Sequence, residues 1–238
     1  MIQRFPAEGR YRTNHGWLRS SFSFSFAEYY DPHNLQFGPM RVLNDDWIAP
    51  GTGFGMHPHK EMEIVTVVLS GRLQHRDSIG NAAQTGWGGI QRMSAGTGIF
   101  HSEHNASKDE PLELLQMWFI PEKNGLTPSY ETTQFDTASL QDRLVPVVSG
   151  DEHVAEAGKV ARIHQDMTIY LAEPRNGATL THTQPEGRRV FLFVIEGGIR
   201  LGDGTVLKRR DSARIENEPE LALTAEADGS RIMLIDLP

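Results

Sequence analysis

A chain of 238 residues, 38% hydrophobic and 23% charged, has the make-up of a soluble globular protein and can bury a core as one large domain or two small ones. Its net charge of −8 argues against a general nucleic-acid binder, which needs a basic face for phosphates, and no run approaches the ~18 consecutive apolar residues of a membrane span. With no cysteine there are no disulfides and no thiolate ligands, and residues 1–16 hold no apolar signal segment, so the expected compartment is the cytoplasm.

Residues 1–16 are polar and read as irregular. Phe22-Ser23-Phe24-Ser25-Phe26 then alternates apolar and polar, which predicts a half-buried strand that Trp17 and Leu18 extend. Residues 29–39, with two prolines, read as a loop. Residues 40–43 and 47–48 are short strands about an Asn44-Asp45-Asp46 turn. Glycines at 51, 53 and 55 lead into His57-Pro58-His59, which is followed by the β-branched run 64–69 and stopped by Ser70-Gly71. Strands at 73–76, 90–93 and 112–120 follow, separated by turn chemistry at 77–81 and a bend at Gly86, Gly88 and Gly89. Residues 121–141 are polar, with room for a short helix around 137–143. A second set of strands, at 162–164, 168–172, 178–181, 189–195, 199–201 and 231–237, loosely repeats the first spacing and suggests internal duplication. Short strands broken by turns, with no sustained 3.6-residue period, predict an all-β sandwich or barrel.

The chemistry concentrates in residues 51–105. His57-Pro58-His59 is one pair of ligand types at i, i+2, and His101-Ser102-Glu103 is another. Side chains at i and i+2 of a strand share a face. If both strands belong to one barrel, three imidazoles and a carboxylate meet inside it. One such pair alone fits two surface histidines; the second pair turns the reading to a metal. The donor set suits Fe, Zn, Ni, Mn or Cu and poorly suits Ca or Mg. Glu63, six residues after His57, shares its strand face if no bulge intervenes, so the residues alone leave two carboxylates open as the ligand. Lys60 and His104 fall on the opposite face.

The run from Gly51 to His59, with Glu63 and Gly71, resembles the first cupin motif, although seven residues rather than six separate Glu63 from Gly71. His101 to Asn105, with Gly96 and Gly98 ahead of them, resembles the end of the second, although Ala95 replaces its usual proline. Phe54-Gly55-Met56-His57-Pro58-His59, Met93-Ser94-Ala95-Gly96-Thr97-Gly98-Ile99, Gln116-Met117-Trp118-Phe119-Ile120-Pro121 and Asn124-Gly125-Leu126-Thr127-Pro128 are similar to the pirin branch, nearest its bacterial quercetinases. The resemblance is strong over residues 13–170 and weak beyond.

That resemblance implies a bicupin of two stacked β-sandwich or jelly-roll barrels with few short helices. Residues 1–140 would form the metal-binding barrel and 141–238 a degenerate, metal-free one, since His182 is followed by Thr183 and Gln184 rather than a second histidine. It implies His57, His59, His101 and Glu103 as ligands to one divalent metal, Fe(II) first, with Zn, Ni, Mn and Cu as alternatives. Glu63 then supports an imidazole or the fold. The implied activity is cleavage of a flavonol such as quercetin by O2 with loss of carbon monoxide, after a carboxylate, Glu103 or Glu63, takes the 3-hydroxyl proton. The alternative is a non-enzymatic, redox-sensing regulator that binds a partner protein. Fold alone does not choose between them.

Overall fold

The β-branched run at residues 64–69 and its later counterpart at 190–195 each lie inside a sheet, buried on both faces. In the computed structural model, which describes residues 1–155 and 159–238, they anchor two units that share one strand plan. The strands of the first half are β1 (Ile2–Phe5), β2 (Tyr11–Asn14), β3 (Leu18–Phe22), β4 (Met40–Ile48), β5 (Gly53–His59), β6 (Glu63–Ser70), β7 (Leu73–Asp77), β8 (Ala82–Thr85), β9 (Gly89–Ser94), β10 (Ile99–Asn105), β11 (Leu112–Phe119) and β12 (Ser129–Gln134). Those of the second are β13 (Val145–Ser149), β14 (Ala161–Arg162), β15 (Thr168–Ala172), β16 (Thr179–Thr183), β17 (Arg189–Glu196), β18 (Gly198–Leu201), β19 (Val206–Lys208), β20 (Ser212–Glu216), β21 (Glu220–Ala225) and β22 (Arg231–Leu237). Among the described residues, helix is limited to α1 (Glu152–Ala155) and 3-10 turns at Ala7–Gly9 and Thr137–Leu140, the last capped by the Asp136 side chain. No helix among the described residues is long and apolar enough to cross a membrane.

One unit comprises Tyr11–Phe135 and Ala155–Gln165. It pairs a sheet of order β12-β9-β6-β11-β4-β3-β2 with one of order β5-β10-β7-β8. The other comprises Met1–Arg10, Asp136–Val154 and Asp166–Pro238, with sheets β1-β20-β17-β22-β15-β13 and β16-β21-β18-β19. The small sheets match strand for strand, so the duplication suggested by the spacing is present: this is the all-β bicupin plan. A core of Val190, Leu192, Leu201, Ile215, Leu223 and Leu234 fills the second unit.

Three expectations change. Residues 1–16 are not irregular but hold β1 and β2. β1 lies against β20, with Ile2 opposite Ile215, so the first ten residues join the later unit rather than the barrel drawn at 1–140. There they cover an edge that would otherwise be open. The Phe22–Phe26 alternation stops being a strand at Phe22, because the hydroxyl of Ser25 and the amide of Asn34 capture the backbone of Asp31 and Ser23. Asn44-Asp45-Asp46 is not a turn. It runs through the middle of β4, held by Ser20 of β3 opposite Asp46 and Gln116 of β11 opposite Asn44. Two flanking ladders override turn chemistry, and the polar side chains of Asn44 and Asp46 are buried.

Candidate metal centre and its cavity

β5 and β10 run antiparallel with His57 opposite His101, and β7 follows on the other side of β10 with His75 opposite Glu103. Between the His57–His101 and Phe54–Glu103 pairs, β5 carries Gly55 and Met56 against the single residue Ser102. This bulge resets the alternation so that Phe54, at odd spacing from His57, shares the inner face with the histidines. Gly53 allows the strands to approach this closely: a Cβ there would sit 2.3 Å from the Glu103 carbonyl oxygen.

The three imidazoles predicted from the two pairs converge. Ring centroids are 4.4 Å apart for His57 and His101 and 4.9 Å for His59 with each of the others. One nitrogen from each can be taken with all three inside 4.8 Å. Burial, then the neighbouring His57, pushes His59 down to about 4; burial and then His57, His59 and His75 depress His101 further. Both are therefore neutral at physiological pH, the form that ligates metal.

The hydrogen bonds decide which nitrogen each ring offers. His57 Nδ1 lies 2.7 Å from the Gly55 carbonyl, which can only accept, so Nδ1 carries the proton and Nε2 is free. His75 Nε2 lies 3.1 Å from Asp77 Oδ2 and donates to it, leaving His75 Nδ1 as an acceptor for His101 Nδ1 at 3.4 Å. His101 Nε2 is then a bare lone pair, buried and without a hydrogen-bond partner among the described residues. A buried orphan acceptor aimed among neutral imidazoles fits a cation. A divalent transition metal suits the site.

The other predicted residues are placed differently. Glu103, 2% exposed, falls in a second set with His75 and His101. Its two oxygens accept from Gln91 Nε2 at 2.6 Å and Gln116 Nε2 at 2.7 Å. Glu63 is not on the histidine strand. β5 ends at His59, Glu61 turns the chain at φ +49°, and Glu63 opens β6. Its Oε2 accepts from the Ser94 hydroxyl and the backbone N–H of His164, while Oε1 is buried without a hydrogen-bond partner among the described residues. His104 faces away, beside Gln74, Arg76 and Ser102, and Lys60 is exposed. His75 went unread, although His75-x-Asp77 carries the same i, i+2 signature as the pairs that were read.

His57, His59 and Glu103 open onto a cavity of about 340 Å³. Its walls are apolar and largely aromatic: Trp17, Phe22, Phe26, Phe54 and Trp118, with Trp118 edge-on to His59 at 4.8 Å. Ser20, Asn44, Asp46 and Gln116 supply its polar groups. Phe54, Gln116 and Trp118 lie in stretches that carry the family resemblance, but nothing in the sequence shows that they share one cavity with Trp17, Phe22 and Phe26.

Comparison with known proteins agrees with this architecture. A family model described as Pirin matches residues 5–119, and one described as Quercetinase C-terminal cupin domain matches residues 147–237. The chain is 43% identical over 238 residues to a protein of Escherichia coli (strain K12) named quercetin 2,3-dioxygenase, covering 100% of this chain and 99% of that one. It is 37% identical over 236 residues to a pirin-like protein of Caulobacter vibrioides, covering 99% of each. Among solved structures, the bacterial pirin YhhW from Escherichia coli in complex with nickel(II) superposes with a TM-score of 0.93 at 43% identity, covering 100% of this chain and 99% of that one. The chain belongs to the pirin family of the cupin superfamily.

Proposed function

We propose that the chain is a metal-dependent dioxygenase that cleaves a flavonol such as quercetin with O2. The observation that carries this reading is the meeting of three converging imidazoles with an aromatic-walled cavity large enough for a small flat ligand. The name of the 43% identical relative supports the substrate class. His57, His59, His101 and Glu103 are the proposed ligands. Fe(II) is the proposed native ion, and the nickel(II) complex of a relative supports a divalent metal without choosing it. When bound, such an ion supplies open positions for a chelating substrate and for O2, and a path for electrons between them.

The chain's own residues do the rest. Asp77 and His75 fix the tautomer of His101, and the Gly55 carbonyl fixes that of His57, so both lone pairs point inward before any metal arrives. Gln91 and Gln116 hold the Glu103 carboxylate from both sides. Trp17, Phe26, Phe54 and Trp118 hold the rings of the substrate and keep water from the reacting carbons. The test is quercetin-dependent oxygen uptake with carbon monoxide detection on Fe(II)-reconstituted protein, beside His57→Ala. Turnover that disappears in the variant is the expected result. No turnover with one metal bound per chain would overturn the enzyme reading and turn the search to a partner protein.

A further inference from the structure

Flavonol cleavage begins with loss of a hydroxyl proton, and neither glutamate expected to take it is well placed. Glu63 does not line the cavity: its Oε2 accepts from Ser94 and His164, and its Oε1 is buried outside the lining. Glu103 lines it, but each of its oxygens already accepts an amide hydrogen, and metal ligation would use a further lone pair.

The inner face of β4 offers another acceptor. Asn44 and Asp46 stand at i, i+2 on that strand, and both line the cavity. Asp46 is only 4% exposed. Its Oδ1 accepts from the Ser20 hydroxyl, while Oδ2 has no hydrogen bond among the described residues. Two strand positions away, Asn44 Oδ1 is buried and also without a partner. A buried acceptor without a partner, beside a carboxylate in a cavity walled largely by aromatic rings, is costly unless a ligand brings a donor to it. A polyhydroxylated aromatic does.

Resting on the flavonol reading above, we propose that Asp46 is the catalytic base: its Oδ2 takes the proton of the substrate hydroxyl, while Asn44 accepts a hydrogen bond from a neighbouring hydroxyl. The substrate O–H bond breaks and an O–H bond forms on Asp46, so the carboxylate becomes a neutral acid. The negative charge passes to the substrate oxygen, which keeps the electron pair of the broken bond. Ser20 holds the carboxylate in place through its other oxygen. Burial first, against the lowering effect of the Ser20 hydrogen bond and with the raising effects of Asp45 and Glu103, lifts Asp46 to about 7. A base with a pKa near the working pH transfers protons in either direction most efficiently. Around it, β3 contributes Ser20, β11 Gln116 and β10 Glu103.

The experiment is infrared difference spectroscopy on Zn(II)-loaded protein, free of oxygen and in mildly alkaline buffer, as quercetin is added. It is repeated with aspartate carrying carbon-13 at its side-chain carboxyl. The expected result is a new protonated-carboxyl C=O band that shifts with the aspartate label and is absent in Asp46→Asn, while the bound flavonol shows its anionic absorption. A band insensitive to the label overturns the proposal and leaves the dioxygenase reading standing. Quercetin that neither binds to Zn(II)-loaded protein nor turns over on the Fe(II) form defeats that reading, and this one with it. In parallel, Fe(II)-loaded Asp46→Asn is expected to lose turnover by roughly 100-fold or more at unchanged metal content. Turnover within a few-fold of the parent protein overturns the assignment. Asp46 is the aspartate among the cavity-lining residues, so a label-insensitive band in the parent protein overturns the assignment even if the variant does not fold.

Discussion

At the level of single residues, the convergence of the candidate site was legible because strand alternation is a rigid rule. His57, His59, His101 and Glu103 were paired at i, i+2, and all four side chains turn to the inner side of their strands. His75 obeys the same rule, but its partner Asp77 sits where turn chemistry begins, and that hid the pair. Its position sets it apart from the ligands, because it accepts from His101 Nδ1 while stacked at 4.0 Å on Tyr130. His75→Phe keeps the stacked ring and removes the acceptor, so His101 loses its fixed tautomer. Metal affinity, measured by competition with a chelator, is expected to fall about 10- to 100-fold. His75→Asn removes the ring but leaves an oxygen near the place of Nδ1, and is expected to recover most of that affinity. If Asn and Phe weaken the metal equally, the role of His75 is packing and not orientation.

At the level of elements, the sequence showed where strands are but not where they deform. The bulge opposite Ser102 leaves no compositional trace beyond its glycines, yet it alone brings Phe54 onto the histidine face. The β4 segment was misread for a related reason. Asn44-Asp45-Asp46 has turn composition, and only its long-range partners on β3 and β11 show that its polarity serves the cavity. The glycines of β5 separate by the same reasoning. Gly53→Val must drive a side chain into the Glu103 carbonyl oxygen at 2.3 Å and His104 Cα at 2.5 Å, parting β5 from β10. Thermal or denaturant unfolding is expected to show a loss of about 1–3 kcal/mol, with loss of bound metal. Gly55→Ala meets nothing within 4 Å and has no left-handed φ, so it is expected to keep both stability and metal. Equal damage from the two would mean that close strand approach is not what Gly53 provides.

At the level of the whole molecule, the duplication was legible in the strand spacing, while the destination of the first ten residues was not. β1 has little apolar periodicity, and its partner lies more than 200 residues away in sequence. The buried titratable groups also have a collective consequence for the metal-free protein. His59 and His101 are neutral when folded, since their pKa values are lowered from 6.5, to about 4 for His59. Below pH 6.5 the unfolded chain takes up protons that these residues refuse, so their contribution to stability is lost as pH falls. Asp46 acts in the opposite sense. Raised from 3.8 to about 7, it holds a proton when folded that the unfolded chain releases, and it stabilises the fold increasingly as pH drops through 7 toward 3.8. Between about pH 4 and 6.5 two histidines are therefore opposed by one carboxyl. Asp46→Asn removes the opposition, so the slope of unfolding free energy against pH from these groups should become about twice as steep. Denaturant unfolding of chelator-treated parent and variant across that window measures it. An unchanged slope would show that Asp46 holds no proton in the folded state at those pH values, and would leave the cavity without its half-titrated base.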